Sequence, residues 1–157
     1  MYKIDQIDEK LLMLLQANSN QTIKQLASQL NLTPTPVHER IKRLEKDGII
    51  ERYRAEINPA KLGKTLMVIS HVSLQEHTKS SLLAFEKKIS ALPEVIECYH
   101  VTGDHDYLLK VIIADMKGYR QFLTEKLAKI ANIGNVHSSF VVEAVKNDRI
   151  IDLSKAQ

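Results

Sequence analysis

The apolar residues of this 157-residue chain change their spacing at Gly63. Before it they recur every three or four positions, the period of amphipathic helices. After it, alternating stretches with the period of strands are interleaved with helical ones. A helical unit followed by a mixed one is therefore expected, since neither a lone bundle nor a lone sheet accommodates both patterns. The expected boundaries are 1–50 for the helical domain, 51–63 for an extended strand and linker, and 64–157 for the mixed domain.

Three helices can be read with their ends. The first has Asp5 as its cap and carries Ile7, Leu11, Leu14 and Leu15 on one face. Thr22-Ile-Lys-Gln25 is a capping box opening the second, in which Thr22 and Gln25 satisfy each other's orphan amides. Ile23, Leu26, Ala27 and Leu30 form its apolar face. Asn31 and Leu32 then turn the chain, and Thr33 sits where the third helix needs a cap. Pro34 and Pro36 fall in the first turn, where amides have no intrahelical partner. The helix is expected to run to about Asp47, with Gly48 as its left-handed stop.

On this third helix Val37, Ile41 and Leu44 form a buried face, while Thr35, Glu39, Lys42 and Lys46 lie opposite, flanked by His38 and Arg43. A short amphipathic helix, a tight turn and a longer helix with a basic outer face make a helix-turn-helix, whose second helix enters the major groove of DNA. Thr35, His38 and Glu39 are placed to reach base edges. Lys42, Arg43 and Lys46 suit phosphate contacts. Arg40 lies beside the buried face and serves either phosphate or the fold. A plain three-helix bundle with a solvated charged face has the same pattern.

Residues Ile49 to Ile57 read as one extended segment, and Asn58 to Gly63 as a linker. Beyond it, Leu66, Val68, Val72 and Leu74 alternate as a strand, followed by a helix carrying Leu82, Phe85, Ile89 and Leu92. Val95–Thr102 and Tyr107–Ala114 are strands joined by Gly103-Asp-His-Asp106. A second helix carries Tyr119, Phe122, Leu123, Leu127 and Ile130, and Val136–Val145 is a last strand. The order β-α-β-β-α-β is the ferredoxin-like arrangement, giving an α+β protein overall. The sheet face away from the helices would hold Met67, Ile69, His71 and Ser73, with apolar residues at both parities elsewhere. Such a face suits packing on a second copy, and a twofold protein suits a palindromic DNA site.

The net charge of +3 is too small to identify a nucleic-acid binder, and the local cluster Arg40, Lys42, Arg43, Lys46, Arg52 and Arg54 carries more information. No apolar run approaches the ~20 residues that cross a bilayer. The first residues are acidic and lack a cleavage site, so no membrane partner and a cytoplasmic location are expected. The lone Cys98 cannot form an intrachain disulfide.

Taken together, the chain resembles the Lrp/AsnC family of transcription regulators. The resemblance rests on Ile4-Asp-x-x-Asp8, Gln25-Leu-Ala27, Val37-x-x-Arg40-Ile-x-Arg-Leu-Glu45-x-x-Gly48-Ile-Ile50 and Asn58-Pro59 with Leu62-Gly63. It continues through Pro93-Glu-Val95-x-Glu-Cys98, Val101-Thr-Gly103-Asp-x-Asp106-Tyr-Leu-Leu109 and Ser139-x-x-Val142, and so covers residues 4 to 153. It implies a winged helix-turn-helix, dimers formed through the sheets and often assembled into octamers, and an amino-acid effector bound between dimers near the hairpin connection. Where the family usually has serine at the third helix's cap this chain has Thr33, so an operator preference cannot be carried over.

An amino acid needs an acceptor for its ammonium and donors for its carboxylate. Val101, Thr102, Gly103, Asp104 and Asp106 offer such parts, with Asp106 as ammonium partner and the hydroxyls of Thr102, Ser138 and Ser139 completing a pocket. Gly103 and Asp106 equally suit plain turn construction. His100, Asp104, His105 and Asp106 match no dedicated metal spacing, so neither metal nor cofactor is expected beyond the effector, whose identity is open. No catalytic residue can be singled out, because no phosphate loop or nucleophile elbow is present, and no enzyme is expected. Two rivals remain: an RNA-binding module, which lacks the aromatic sheet motif, and a regulatory subunit of an enzyme, which leaves the basic helix without a purpose.

Overall fold

In the computed structural model, which describes residues 3–147 and 150–153, the chain divides into two units. One is residues 1–56 with 146–157, the other residues 57–145. Within the range 64–157 expected for the mixed domain, the described residues after Val145 group with the helical unit instead. The C-terminal segment joins the helical unit because Leu153 packs on its apolar core and Ile151 pairs with Gln16.

The helical unit holds α1 (Gln6–Ala17), α2 (Ile23–Leu30) and α3 (Pro34–Lys46). Asp5 caps α1 by accepting from the amides of Ile7 and Asp8, and Asp8 returns the favour to the Asp5 amide. Thr22 and Gln25 make the reciprocal bonds that open α2. Asn31, at φ 54°, supplies the left-handed residue that ends α2. At the far end of α3 the left-handed Gly48 lets the Gly48 amide donate to Glu45 O at 3.1 Å and the Ile49 amide to Leu44 O at 2.9 Å. That pair of bonds is the Schellman closure. Leu11, Leu26, Val37 and Leu44, each at most 1% exposed, form the core between the three helices.

Residues 51–58 are exposed and join no sheet, so the strand expected there is not formed among the described residues. The segment has no neighbouring strand to receive its amides. A single turn of 3₁₀ helix, Ala60–Leu62, closed by the left-handed Gly63, leads into the second unit.

That unit contains β1 (Leu66–Leu74), α4 (Lys79–Ser90), β2 (Val95–His100), β3 (Tyr107–Ile113), α5 (Met116–Gln121) and β4 (Ile133–Phe140). The strands form one antiparallel sheet in the order β2-β3-β1-β4, the ferredoxin-like order. α5 does not stay regular: it widens over Phe122–Lys126 and tightens over Leu127–Lys129 before the chain turns. The last strand begins and ends earlier than the expected 136–145. The register with β1 runs from Leu74 back to Val68, Val141 N still reaches Met67 O at 3.0 Å, and residues 142–145 leave the sheet and are exposed. Asn132, at φ 72°, makes the turn that starts β4 earlier.

Burial alternates along β1 from Met67 onward and along the whole of β3. Val68, Val72, Leu109 and Val111 face the helices and pack with Phe85, Ile89, Tyr119, Phe122 and Leu127. No helix among the described residues is long and apolar enough to cross a membrane. Phe85 is 1% exposed at the centre of this core. Phe85→Ala is expected to cost about 3–5 kcal/mol, read as a lowered denaturation midpoint with an unchanged slope.

Candidate DNA interface and effector loop

α3 presents the face expected of it. Val37, Ile41 and Leu44 are buried, whereas Thr35, His38, Glu39, Lys42, Arg43 and Lys46 are exposed. Lys42 and Lys46 make no ion pair among the described residues. Thr33 has the extended backbone of a cap, yet its hydroxyl makes no capping bond. The contrast is local: Thr22 and Thr78 each accept from the third helical amide, and at that position α3 has Pro36, which has none.

Arg40 does not share the outward face. Its Nη1 donates to Asp5 Oδ2 at 2.7 Å and to Asp8 Oδ1 at 2.6 Å, and Arg43 Nη2 lies 3.6 Å from the same Asp8 oxygen. Asp8 is completely buried, so its charge needs this partner. Of the two roles open to Arg40, the structure favours the one that orients the helix. Burial alone would raise the Asp5 carboxyl, but the Asp8 amide and the Arg40 guanidinium outweigh it and hold its pKa below the usual value. Just beyond α3, Tyr53 donates to Glu45 Oε1 at 3.0 Å. Partial burial and that carboxylate push its phenol up to about 12.

The connection between β2 and β3 is closed by Val101 N donating to Asp106 O at 2.8 Å and tied to β1 by Asp106 N donating to Val72 O at 3.0 Å. Thr102, Gly103 and Asp104 are exposed at its tip. Gly103 sits at φ +120°, a conformation that side-chain-bearing residues rarely adopt, with open space where a Cβ would be. The carboxylate of Asp106 is engaged on both oxygens: Leu74 N donates to Oδ2 at 2.7 Å and His77 Nε2 lies 2.9 Å from Oδ1. The Leu74 amide, opposed by burial and helped by His77, depresses the Asp106 pKa. Asp106 thus braces the loop against β1 in addition to any ligand role.

The expected serines do not join this loop within one chain. Ser138 pairs with Ser70 and faces the helices, where it accepts from Tyr119 Oη and lies 3.1 Å from Ser70 Oγ. Ser139 pairs with Ile69 on the opposite face. The loop instead docks at Ser73, three residues and about 10 Å further along β1. What lies beside it is a polar group that sequence reasoning did not assemble. His105 Nδ1 is 3.1 Å from Ser73 Oγ, and its ring is 5.1 Å from that of His71 and 5.5 Å from that of His137. His71 and His137 are register partners, and His137 Nε2 is 3.0 Å from Asn135 Nδ2. The legible signal was parity, since His71 and Ser73 share the outer face of β1. His100 stacks on Tyr107, with ring centroids 4.7 Å apart. Among the described residues no three His, Cys, Asp or Glu side chains are grouped to hold a metal ion.

Removing the buried carboxylate leaves Arg40 with Asp5 alone. Asp8→Ala is expected to destabilise the helical unit by about 3 kcal/mol, the lower end for a broken buried pair because Arg40 keeps some solvent; denaturant melts measure it. For Asp106 the depressed pKa means stability present at neutral pH and lost as pH falls through the folded value. The melting difference between the native chain and Asp106→Asn is therefore expected to hold constant down to about pH 4 and to shrink below it.

Comparison with known proteins matches both units. Residues 4–51 match a family model described as winged helix-turn-helix DNA-binding, and residues 67–151 match the Lrp/AsnC ligand binding domain. The leucine-responsive regulatory protein of Haemophilus influenzae is 39% identical, over 96% of this chain and 90% of its own length. A transcriptional regulator of Neisseria meningitidis, solved as its L-Met complex, superposes with a TM-score of 0.94 at 30% identity, covering 99% of this chain and all of that one. A feast or famine regulatory protein from M. tuberculosis complexed with L-methionine has a TM-score of 0.84 at 26% identity, over 95% of this chain and 99% of that one. With its helical unit and its sheet each matched in this way, the chain belongs to the Lrp/AsnC family of DNA-binding transcription regulators.

Proposed function

We propose that this regulator reads a palindromic operator with α3 and changes its DNA affinity when a free amino acid binds at the loop 101–106, between subunits of an assembly. The observation that carries the DNA half is the outward face of α3. Thr35, His38 and Glu39 stand on its first turns, and Lys42, Arg43 and Lys46 follow where phosphates run. The amino-acid half is supported by the exposed, glycine-opened loop beside Ser73, His77 and Asn135, and by the two similar regulators crystallised with L-methionine. Because Ser138 and Ser139 lie away from this loop in one chain, a second subunit is needed if they are to contribute. The outer sheet face, which carries Met67, Ile69, Leu108 and Ile112, is the surface through which two copies pair, and four such dimers make an octamer.

Fluorescence anisotropy against duplexes from the organism's own genome, at two salt concentrations and with or without the twenty amino acids, tests both halves. Selective binding altered by the mixture supports the reading, and selective binding without response removes the effector site. Lys42→Ala is expected to weaken binding to every duplex alike and to flatten the salt slope by about 1. An unchanged slope removes Lys42 from the phosphate contacts.

A further inference from the structure

The helical unit is assembled from both ends of the chain. Although the ligand-binding-domain match runs to Ile151, residues 150–153 lie on α1. The Gln16 side-chain amide grips the Ile151 backbone on both sides: Nε2 donates to Ile151 O at 3.1 Å, and Ile151 N donates to Oε1 at 2.8 Å. Two residues on, Leu153 packs against the apolar core of the helical unit and, with Met13, Leu14 and Leu30, forms the apolar wall of a groove at the seam of α1 and α2. A side-chain amide satisfying both backbone polar groups of one residue fixes the register of a segment without regular structure, and the leucine two residues later supplies the apolar anchor.

This docking acts on the helix that holds the DNA-reading helix. α1 carries Asp5 and Asp8, which grip Arg40 of α3, and its opposite flank receives Leu153. We propose that DNA binding by this chain depends on the docked C-terminal segment, which closes the α1–α2 seam and steadies α1 as the platform for α3. The regulatory domain is then inserted within the DNA-binding unit and covalently joined to it twice, before β1 and after β4. Those two strand ends are neighbours, since Val68 pairs with Phe140.

Hydrogen exchange and anisotropy on the duplex selected above test this, using the full chain, a chain ending at Asn147, and the full-length variants Leu153→Ser and Gln16→Ala. Faster exchange is expected at α1 amides in all three altered proteins, with sheet amides unchanged. DNA binding of the shortened chain is expected to weaken about tenfold and to recover when a synthetic peptide of residues 148–157 is added in trans. Native exchange at α1 overturns the docking. Faster exchange with undiminished DNA affinity overturns the dependence. Should the shortened chain fail to fold, the two point variants decide by the same two readouts.

Discussion

The ion pair between Asp8 and Arg40 is the constraint around which the DNA-binding unit is organised. A fully buried carboxylate tolerates few arrangements of its partner, so Arg40 must approach α1 at one height and one rotation of α3. That rotation turns Val37, Ile41 and Leu44 inward and leaves Lys42 and Lys46 outward. The same first turn of α1 is capped by Asp5 and Asp8, so helix start and interhelical lock share two side chains. Arg40, the charge that looked most ambiguous for DNA, is the one spent on making the others available.

In the regulatory domain the central strand has the corresponding role. β1 lies between β3 and β4, and its alternating side chains sort two environments. Val68 and Val72 build the core with α4 and α5, while His71 and Ser73 face the other way beside the β2–β3 loop. The loop is anchored by backbone and carboxylate bonds to β1 at Val72 and Leu74, so its tip projects from a fixed base. A site on such a base can be shaped by a ligand without disturbing the sheet. Loops set on a rigid scaffold are where binding residues concentrate.

Local chemistry made much of this legible from the residues alone. The caps at Asp5 and Thr22, the stop at Gly48 and the outward face of α3 depend on neighbours a few positions apart, and each is where the sequence puts it. Thr33 shows the limit even there: its type suits a cap, but its hydroxyl makes no capping bond, and Pro36 lacks the third-position amide that Thr22 and Thr78 use. The end of β4 differs from the expected one because a strand lasts only as long as its pairing, and apolar residues such as Val142 and Val145 do not announce that the chain leaves the sheet after Phe140.

The candidate effector site was half legible. Gly103 and Asp106 announce a loop, but the pairing of Ser138 with Ser70, the meeting of His71, His105 and His137, and the return of Leu153 to α1 join residues tens of positions apart. The sequence by itself determined the elements, their capping and the exposed chemistry of α3, because those follow from periods of two and 3.6 residues. Only the tertiary structure decided that Arg40 turns inward, that Asp106 braces its own loop and that residues 150–153 belong to the DNA-binding unit. Register and long-range packing choose such partners, and no local pattern encodes them.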